Sequence, residues 1–222
     1  MSLLGLIRHG RTAWNSDGRM TGRADIALTE AGRLALAGLH PPEELDGATW
    51  HVSPLIRARQ TAAILSGSGD MAGGMDDAGE LGANALHIEA RLIEMDFGAY
   101  EGRSLEELRA DPAAGMVENE HRGLDFLPPG GESPRMVQER LRPFLAELGQ
   151  AGGRHIAVAH KSVIRAIFAA AYDWNMLGRP PVKLLWDRAH LFNVDGAGAV
   201  RPWRMNVPLR SRHAPVDQAA AP

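Results

Sequence analysis

Residues 3–15 read LLGLIRHGRTAWN, an apolar run that ends abruptly in the polar side chains of Arg8, His9 and Arg11. A short continuous apolar run of this kind indicates a strand that is buried on both faces of a parallel sheet. In open α/β sheets, ligands bind beyond the carboxyl ends of the strands. The stretch therefore predicts a strand that delivers Arg8 and His9 to an anion site, although the RHG tripeptide alone more often marks a basic surface turn.

Composition narrows the class of protein. The chain has 222 residues, of which 45% are hydrophobic and 23% charged, as expected for a globular protein with one main core. Its net charge of -3 and its lack of a basic tract give no support for nucleic-acid binding. The absence of cysteine excludes disulfides, thiol nucleophiles and thiolate metal sites. We expect a cytoplasmic protein without a signal peptide or membrane span, because its apolar runs are too short for either.

Strand and helix patterns alternate along most of the chain. Further strands are predicted at 49–52, 86–88, 155–159, 191–194 and 199–203, and helices at 29–39, 53–65, 104–111, 133–149 and about 161–168. Ser53-Pro54 and Ser133-Pro134 are typical helix starts, Ser104 with Glu107 forms a capping box, and Gly149 is typical of a helix end. This order predicts an α/β fold: a three-layer sandwich with a mostly parallel central sheet and helices on both faces.

The same patterns predict one domain over residues 1–210. A polar segment at about 101–131, closed by two prolines and two glycines, is interpreted as a small helical cap inserted into that domain. Residues 66–84 are rich in Gly, Asp and Ala and are expected to form an exposed excursion. Residues 211–222 are expected to be a disordered tail.

Chemically distinctive residues follow predicted strands at four junctions. Arg8 and His9 follow the first strand, Arg57 lies in the first turn of the helix after strand 49–52, and Glu94 and His160 follow two later strands. Parallel strands place their carboxyl ends at one edge of a sheet, so we expect these side chains to converge. A helix N-terminus attracts anions, and an arginine in its first turn adds to that attraction.

Six segments in this order make the chain resemble the histidine phosphatase superfamily, also called the phosphoglycerate mutase-like proteins. They are LIRHGRTAWN at 6–15, TGRADIALTEAGR at 21–33, SPLIRARQTA at 53–62, EMDFGAYEG at 94–102, PPGGES at 128–133 and VAHKSVIRA at 158–166. The resemblance implies phosphoryl transfer through a phosphohistidine intermediate, with no metal and no cofactor. The ligand it implies is a small phosphorylated substrate.

The resemblance implies that His9 accepts the phosphoryl group, while Arg8, Arg57 and His160 hold the phosphate. A neutral imidazole is a nucleophile available near pH 7, and a backbone carbonyl can fix its tautomer. The resemblance also implies that Glu94 protonates the leaving group and later activates water. Asp96 and Glu101 lie close enough in sequence to be alternative acids.

Two further positions remain open at this stage. Asn15 matches a phosphate-contacting position of the family but is equally typical of a capping residue. Lys161 stands where many relatives have glycine, so its amine either meets a second anionic group of the substrate or points to solvent. A metal site built from His9, His160 and Glu94 is not expected, because the neighbouring arginines would repel a divalent cation.

Three functions follow from these residues. The first is a phosphomonoester phosphatase acting on a small metabolite, and the second is a phosphoglycerate mutase. Mutases that resemble this chain carry Y-G-x-L-x-G-L-N-K after the acid, whereas residues 96–104 read DFGAYEGRS, which favours hydrolysis. The third is a non-catalytic binder of phosphorylated ligands. The identity of the substrate is not predicted, and the oligomeric state is left open, a homodimer being among the compatible assemblies.

Overall fold

A mostly parallel sheet forms the centre of the protein. The computed structural model describes residues 1–68 and 85–211. The strands of these residues are β1 (Ser2–Arg8), β2 (Leu39–His40), β3 (Thr49–Val52), β4 (Leu86–Ile88), β5 (Gly153–Ala159), β6 (Arg188–Val194), β7 (Val200–Pro208) and β8 (Arg210–Ser211). The main sheet has the order β4-β3-β5-β1-β6-β7. Its first four strands are parallel, and β6 and β7 are each antiparallel to the preceding strand.

Helices cover both faces of this sheet. The α-helices of the described residues are α1 (Ala13–Ser16), α2 (Glu30–Leu36), α3 (Ile56–Ser66), α4 (Leu105–Ala110), α5 (Met116–Glu120), α6 (Pro134–Ala151) and α7 (Lys161–Ala171). α6 and α7 contribute the apolar core on one face, and α3 contributes to the core on the other. This arrangement confirms the predicted α/β class.

Strand β1 shows why the sheet lies between two cores. Leu4 and Leu6 join the core beneath α6 and α7, while Ile7 joins the core beneath α3. Successive side chains of a strand point to opposite faces, so an uninterrupted apolar run fills both cores. Gly5 leaves the space that Leu45 occupies, since a Cβ at Gly5 would overlap the Leu45 side chain. The buried central strand predicted from the opening stretch is therefore present.

Two helix starts follow their local signals. Ser104 accepts a hydrogen bond from the Glu107 backbone N–H, and the Glu107 carboxylate accepts one from the Ser104 N–H, which completes the predicted capping box. Ser133 accepts from the Met136 N–H at the start of α6. Within the segment interpreted as a cap, α4 and α5 pack with short 3-10 turns around Tyr100, Leu108 and Met116.

The predicted helix start at Ser53 is wrong. α3 begins at Ile56, and the Ser53 hydroxyl lies 2.6 Å from the Nε2 atom of His160 instead of capping the helix. The Ser53 backbone N–H donates to the Val158 carbonyl, which extends the β3–β5 pairing by one residue. The Ser53 hydroxyl, which local sequence assigns to a helix cap, instead hydrogen-bonds to His160 at the edge of the sheet.

The predicted helix over 29–39 is too long. α2 ends at Leu36, Gly38 has a positive φ of 73°, and Leu39 with His40 forms β2. β2 pairs with β8, which contains Ser211. The predicted tail therefore begins one residue too early, because backbone pairing with β2 orders Ser211. The rest of that tail, 212–222, and most of the predicted excursion, 69–84, lie outside the described residues.

Gly149 does not end α6 as its position suggests. The helix continues to Ala151, and Gly152 follows it with a φ of 71°. A Cβ at Gly149 would overlap the carbonyl oxygen of Asp195, in the turn between β6 and β7. Gly149 therefore allows close packing of α6 on the predicted β6–β7 hairpin, which is present at the edge of the sheet. In the described part of the chain, no helix is long and apolar enough to cross a membrane.

Candidate active site

The carboxyl ends of β1, β3 and β5 lie side by side and bring the predicted site residues together. Arg8 ends β1 and His9 follows it, while His160 follows β5 and directly precedes α7. Arg57 reaches the same place from the first turn of α3. Glu94 arrives by a less direct route, since a 3-10 turn separates it from β4. A cavity of about 1010 Å³ opens beside these residues.

His9 is held in the tautomer that a nucleophile requires. Its Nδ1 atom lies 2.7 Å from the Gly10 carbonyl oxygen. A carbonyl can only accept, so Nδ1 carries the proton and Nε2 keeps its lone pair. Burial, followed by the charges of Arg8 and Arg57, lowers the pKa of His9 to about 3. The imidazole is therefore neutral throughout the physiological pH range.

Arg57 is buried, and each of its three nitrogens donates one hydrogen bond, which leaves two of its five N–H groups for a ligand. Its terminal nitrogens donate to the carbonyl oxygens of Ala24 and Gly22, each at 2.7 Å. Its Nε atom donates to Nδ1 of His160 at 3.3 Å. These contacts fix the plane of the guanidinium, which also lines the cavity. Rigid placement of this kind is what anion recognition by an arginine fork needs.

His160 supports the site from behind. Its side chain is fully buried, and its ring centroid lies 5.1 Å from that of His9. Because Nδ1 accepts from Arg57, Nε2 carries the proton and donates to the Ser53 hydroxyl. Burial and the charges nearby hold the pKa of His160 well below its usual value. The structure thus brings His160 to the site with both ring nitrogens already occupied.

Arg8 differs from Arg57 because its guanidinium has a buried N–H group without a hydrogen-bond acceptor in the described part of the chain. Its Nε atom is buried and has no hydrogen-bond partner among the described residues. The guanidinium lies over the ring of Trp186, with 5.5 Å between its Cζ atom and the ring centroid. Burial lowers the pKa of Arg8, yet the group stays charged. A half-buried arginine whose buried Nε–H has no acceptor is suited to an incoming anion.

Glu94 is the buried one of the carboxylic acids that line this cavity in the described residues. It is 6% exposed, and its two oxygens accept from the backbone N–H groups of Met95 and Ser162, at 2.8 and 3.3 Å. Burial raises the pKa of Glu94 despite these bonds and the charges of Arg57 and Arg8. A raised pKa extends the pH range over which a carboxyl group can donate a proton.

The two alternative acids are occupied elsewhere. Asp96 accepts from the Gly98 N–H at 2.8 Å and lies 3.3 Å from Arg23. The Glu101 carboxylate accepts from the backbone N–H groups of Arg23 and Ala24, at 2.7 and 3.2 Å. Neither carboxylate lines the cavity. The geometry therefore favours Glu94 as the acid of this site.

Asn15 and Lys161 both line the cavity, in different ways. Asn15 caps α1, because its Oδ1 atom accepts from the Thr12 N–H at 3.3 Å, and it also donates to the Thr21 hydroxyl at 3.4 Å. The structure thus shows the capping role of Asn15, and contact with a ligand would be a second role. Lys161 is the first residue of α7, and its ammonium lies 5.8 Å from the centroid of the Trp186 ring.

Thr61, which the sequence did not indicate, and Glu101, which it indicated only as an alternative acid, connect the elements of the site. The Thr61 hydroxyl accepts from the Gly10 N–H at 2.9 Å and donates to the Arg57 carbonyl at 2.7 Å. Glu101 holds the segment whose carbonyls bind Arg57. No local pattern marks either role, since both depend on contacts between distant parts of the chain. Among the described residues, no group of three or more His, Asp or Glu side chains is arranged to hold a metal ion.

Comparison with known proteins identifies the family. Residues 4–195 match the family described as the histidine phosphatase superfamily, branch 1. The chain belongs to the histidine phosphatase superfamily. The match includes every residue of the site described above, which agrees with the resemblance seen in the six sequence segments.

Sequence relatives of this histidine phosphatase superfamily member include mutases. It is 34% identical over 178 residues to the 2,3-bisphosphoglycerate-dependent phosphoglycerate mutase of Methylobacterium radiotolerans, covering 74% of this chain and 76% of the relative. It is 30% identical over 159 residues to the probable phosphoglycerate mutase GpmB of Salmonella paratyphi C, covering 70% of this chain and 67% of the relative.

Solved structures similar to this superfamily member include a phosphatase. A mycobacterial glucosyl-3-phosphoglycerate phosphatase matches with a TM-score of 0.67 at 25% identity, covering 94% of this chain and 99% of that one. Bacillus stearothermophilus YhfR matches with a TM-score of 0.69 at 26% identity, covering 91% of this chain and 95% of that one. Membership of the superfamily therefore indicates an enzyme that transfers phosphoryl groups, either a phosphatase or a mutase.

Proposed function

We propose that the protein is a phosphatase that hydrolyses a small phosphomonoester through a phosphohistidine intermediate on His9. One observation carries the proposal: a neutral His9, whose Nε2 lone pair is free, shares a cavity with Arg8, Arg57 and the raised-pKa acid Glu94. These are the nucleophile, the anion clamp and the proton donor that the reaction needs.

In the first half-reaction, the phosphate group lies between Arg8 and Arg57. The Nε2 atom of His9 attacks phosphorus and forms an N–P bond as the bond from phosphorus to the leaving oxygen breaks. The Glu94 carboxyl group gives its proton to that oxygen, so the product leaves as an alcohol. The arginines supply the positive charge that stabilises the equatorial oxygens, and no metal cofactor is required.

In the second half-reaction, water attacks phosphorus of the phosphohistidine. The Glu94 carboxylate accepts a proton from the water while the N–P bond breaks. Inorganic phosphate leaves, and both His9 and Glu94 return to their starting protonation states. One residue thus acts first as acid and then as base, as microscopic reversibility allows.

A phosphoglycerate mutase is the second candidate. It is supported by the names of the relatives from Methylobacterium radiotolerans and Salmonella paratyphi C. Hydrolysis is supported by the likeness to the glucosyl-3-phosphoglycerate phosphatase. It is also supported by DFGAYEGRS at 96–104, which departs from the segment that mutases resembling this chain carry after the acid.

The first test is His9→Ala, assayed with an aryl phosphate and a panel of phosphorylated metabolites. We expect at least a ~10³-fold loss of turnover and no acid-labile phosphoenzyme, because the nucleophile is gone. His121→Ala removes an exposed histidine and serves as the matched control, which should retain full activity. Normal turnover by His9→Ala would disprove the mechanism.

The second test separates phosphatase from mutase. The wild-type protein is incubated with 3-phosphoglycerate, and both free phosphate and 2-phosphoglycerate are measured. A phosphatase releases phosphate from members of the substrate panel. Interconversion of the two phosphoglycerates with little phosphate release would instead establish the mutase.

A further inference from the structure

The cavity holds cationic side chains whose charge the cavity carboxylates do not balance. Its carboxylates in the described residues are Glu94, Glu120 and Asp187. Glu120 binds Arg109 at 2.6 Å, and Asp187 is an exposed side chain 3.6 Å from Arg188. Glu94 accepts from two backbone N–H groups, and its raised pKa favours its neutral form. The cavity therefore has a surplus of positive charge.

Part of this surplus comes from Lys161 and Arg165, which lie one turn apart on α7. Both side chains line the cavity, and neither side chain has a hydrogen bond or an ion pair with any residue that the structure describes. Their neighbours are aromatic rings: Lys161 lies 5.8 Å from the centroid of Trp186, and Arg165 lies 5.7 Å from that of Trp174. Two like charges at this helical spacing repel each other. An anion bound between the two side chains would offset that repulsion.

This pair lies next to Arg8, one of the two arginines of the proposed anion clamp. Trp186 contacts the Arg8 guanidinium as well as the Lys161 ammonium. Burial, with the charges of Arg8 and Arg165, lowers the pKa of Lys161. An anion placed between Lys161 and Arg165 would relieve this unfavourable environment while another anion occupies Arg8 and Arg57.

We propose that Lys161 and Arg165 bind a second anionic group of the substrate, a carboxylate or a second phosphate, and so determine its class. Trp186 forms the wall along which the carbon chain between the two anions lies. This inference rests on the proposed function, in which the first phosphate binds at His9. The substrate class is thus a phosphomonoester with an additional negative charge, and neutral alcohol phosphates are poorer substrates.

The test uses two pairs of esters that differ in one anionic group. 3-Phosphoglycerate is compared with glycerol 3-phosphate, and 6-phosphogluconate with sorbitol 6-phosphate. In each pair a carboxylate replaces a hydroxymethyl group, and the pairs span a short and a long separation between the charges. The ratio of kcat/KM within each pair measures recognition of the second anion and cancels changes common to both members.

Lys161→Met removes the charge and keeps the length of the side chain, and Arg165→Met is its companion. We expect either variant to lower the ratio at least about tenfold in one pair, mainly through KM, because a charge-assisted hydrogen bond is lost. The chain has one other lysine, Lys183, which is exposed and lies outside the cavity lining. Lys183→Met is the matched control and should keep the wild-type ratio.

Binding of the same four esters is measured by calorimetry, so that a failure of the proposed function is distinguishable. Suppose that the wild type shows no turnover but binds the acidic esters more tightly than the neutral ones, and that Lys161→Met loses this binding preference. That result would reject the phosphatase and support the second-anion site. Turnover with ratios that are unchanged in both variants would support the phosphatase and overturn this inference. Equal binding of the acidic and neutral esters by the wild type would also overturn it.

Discussion

The pKa values of His9 and Glu94 are shifted in opposite directions from their ordinary values. Burial and two arginines lower the pKa of His9 to about 3, while burial raises the pKa of Glu94. Because each shift favours the neutral form, the base is free to attack and the acid is able to donate over the same pH range. The shared cause is desolvation, which penalises whichever form is charged.

Glu94→Gln tests this arrangement. In the wild type, kcat/KM for an alkyl phosphate should fall as the pH rises through the raised pKa of Glu94, because the carboxyl group loses the proton it must donate. The variant should lose this pH dependence and about 10²–10⁴-fold in rate with alkyl esters, but much less with aryl esters, whose leaving groups need no proton. The measurement is a pH profile with both ester types.

Asp96→Asn is the matched control for that variant. Its carboxylate accepts from a backbone N–H and pairs with Arg23, outside the cavity lining. We expect it to keep the wild-type dependence on pH and on leaving group. If Asp96→Asn lost that dependence and Glu94→Gln kept it, the assignment of the acid would be wrong.

Sequence predicts individual site residues where the chemistry is adjacent in the chain. Arg8 and His9 follow an apolar run, and the carbonyl that orients His9 belongs to the next residue, Gly10. Ser53 and Thr61 could not be predicted in the same way, since their partners lie 107 and 51 positions away. The resemblance pointed to Glu94 rather than Asp96 or Glu101, and the burial of Glu94, which sequence does not give, supports that choice.

At the scale of elements, the segment 20–25 joins the predicted cap to Arg57, one of the two arginines of the proposed anion clamp. Glu101 lies next to this segment and accepts from the backbone N–H groups of Arg23 and Ala24. The carbonyls of Gly22 and Ala24, in turn, accept from Arg57. A Cβ at Gly22, whose φ is 50°, would overlap the Glu101 carboxylate. The position of Arg57 thus depends on a carboxylate in another element.

Glu101→Ala should weaken this connection. Loss of its backbone hydrogen bonds should cost about 1–3 kcal/mol of stability. It should also raise KM about tenfold or more, since small displacements of a clamp residue are costly. The measurements are the free energy of unfolding in urea and steady-state kinetics. Glu101→Gln keeps one acceptor and should give an intermediate effect.

Glu106→Ala is the matched control for Glu101→Ala. Glu106 lies on α4 and is exposed. Its loss should change the free energy of unfolding by no more than about 0.5 kcal/mol and leave KM unchanged. A rise in KM of the same size in both variants would show that Glu101 has no specific connection to Arg57.

Element boundaries were predictable where the determining contacts are local. The Ser104–Glu107 capping box starts α4 as expected, because donor and acceptor lie three residues apart. Ser53 failed as a cap because His160 takes its hydroxyl, and Leu39 left the predicted helix because β8 offers backbone pairing. In each failure a tertiary contact outweighed a local preference.

At the scale of the whole molecule, the sheet order explains why residues far apart in sequence share one site. β5 lies between β3 and β1, so the ends of three parallel strands are adjacent although the chain visits them in the order β1, β3, β5. Alternation of strand and helix predicts the class, and parallel strands predict a common edge. The order of strands depends on how all elements pack, which no single segment encodes.

The hairpin β6–β7 packs against α6, where Gly149 lies against the backbone of Asp195. Gly149→Ala tests that contact. Alanine should gain about 1 kcal/mol of helix propensity. The added Cβ overlaps the backbone of Asp195, and overpacking against rigid backbone costs about 1–3 kcal/mol, so we expect a net loss of stability. Urea unfolding should show a lower midpoint with an unchanged m-value, and KM should stay the same because no site residue moves. Gly196→Ala is the control, since its Cβ would meet nothing within 4 Å. A stability for Gly149→Ala equal to or above that of the wild type would mean that helix and hairpin separate without cost.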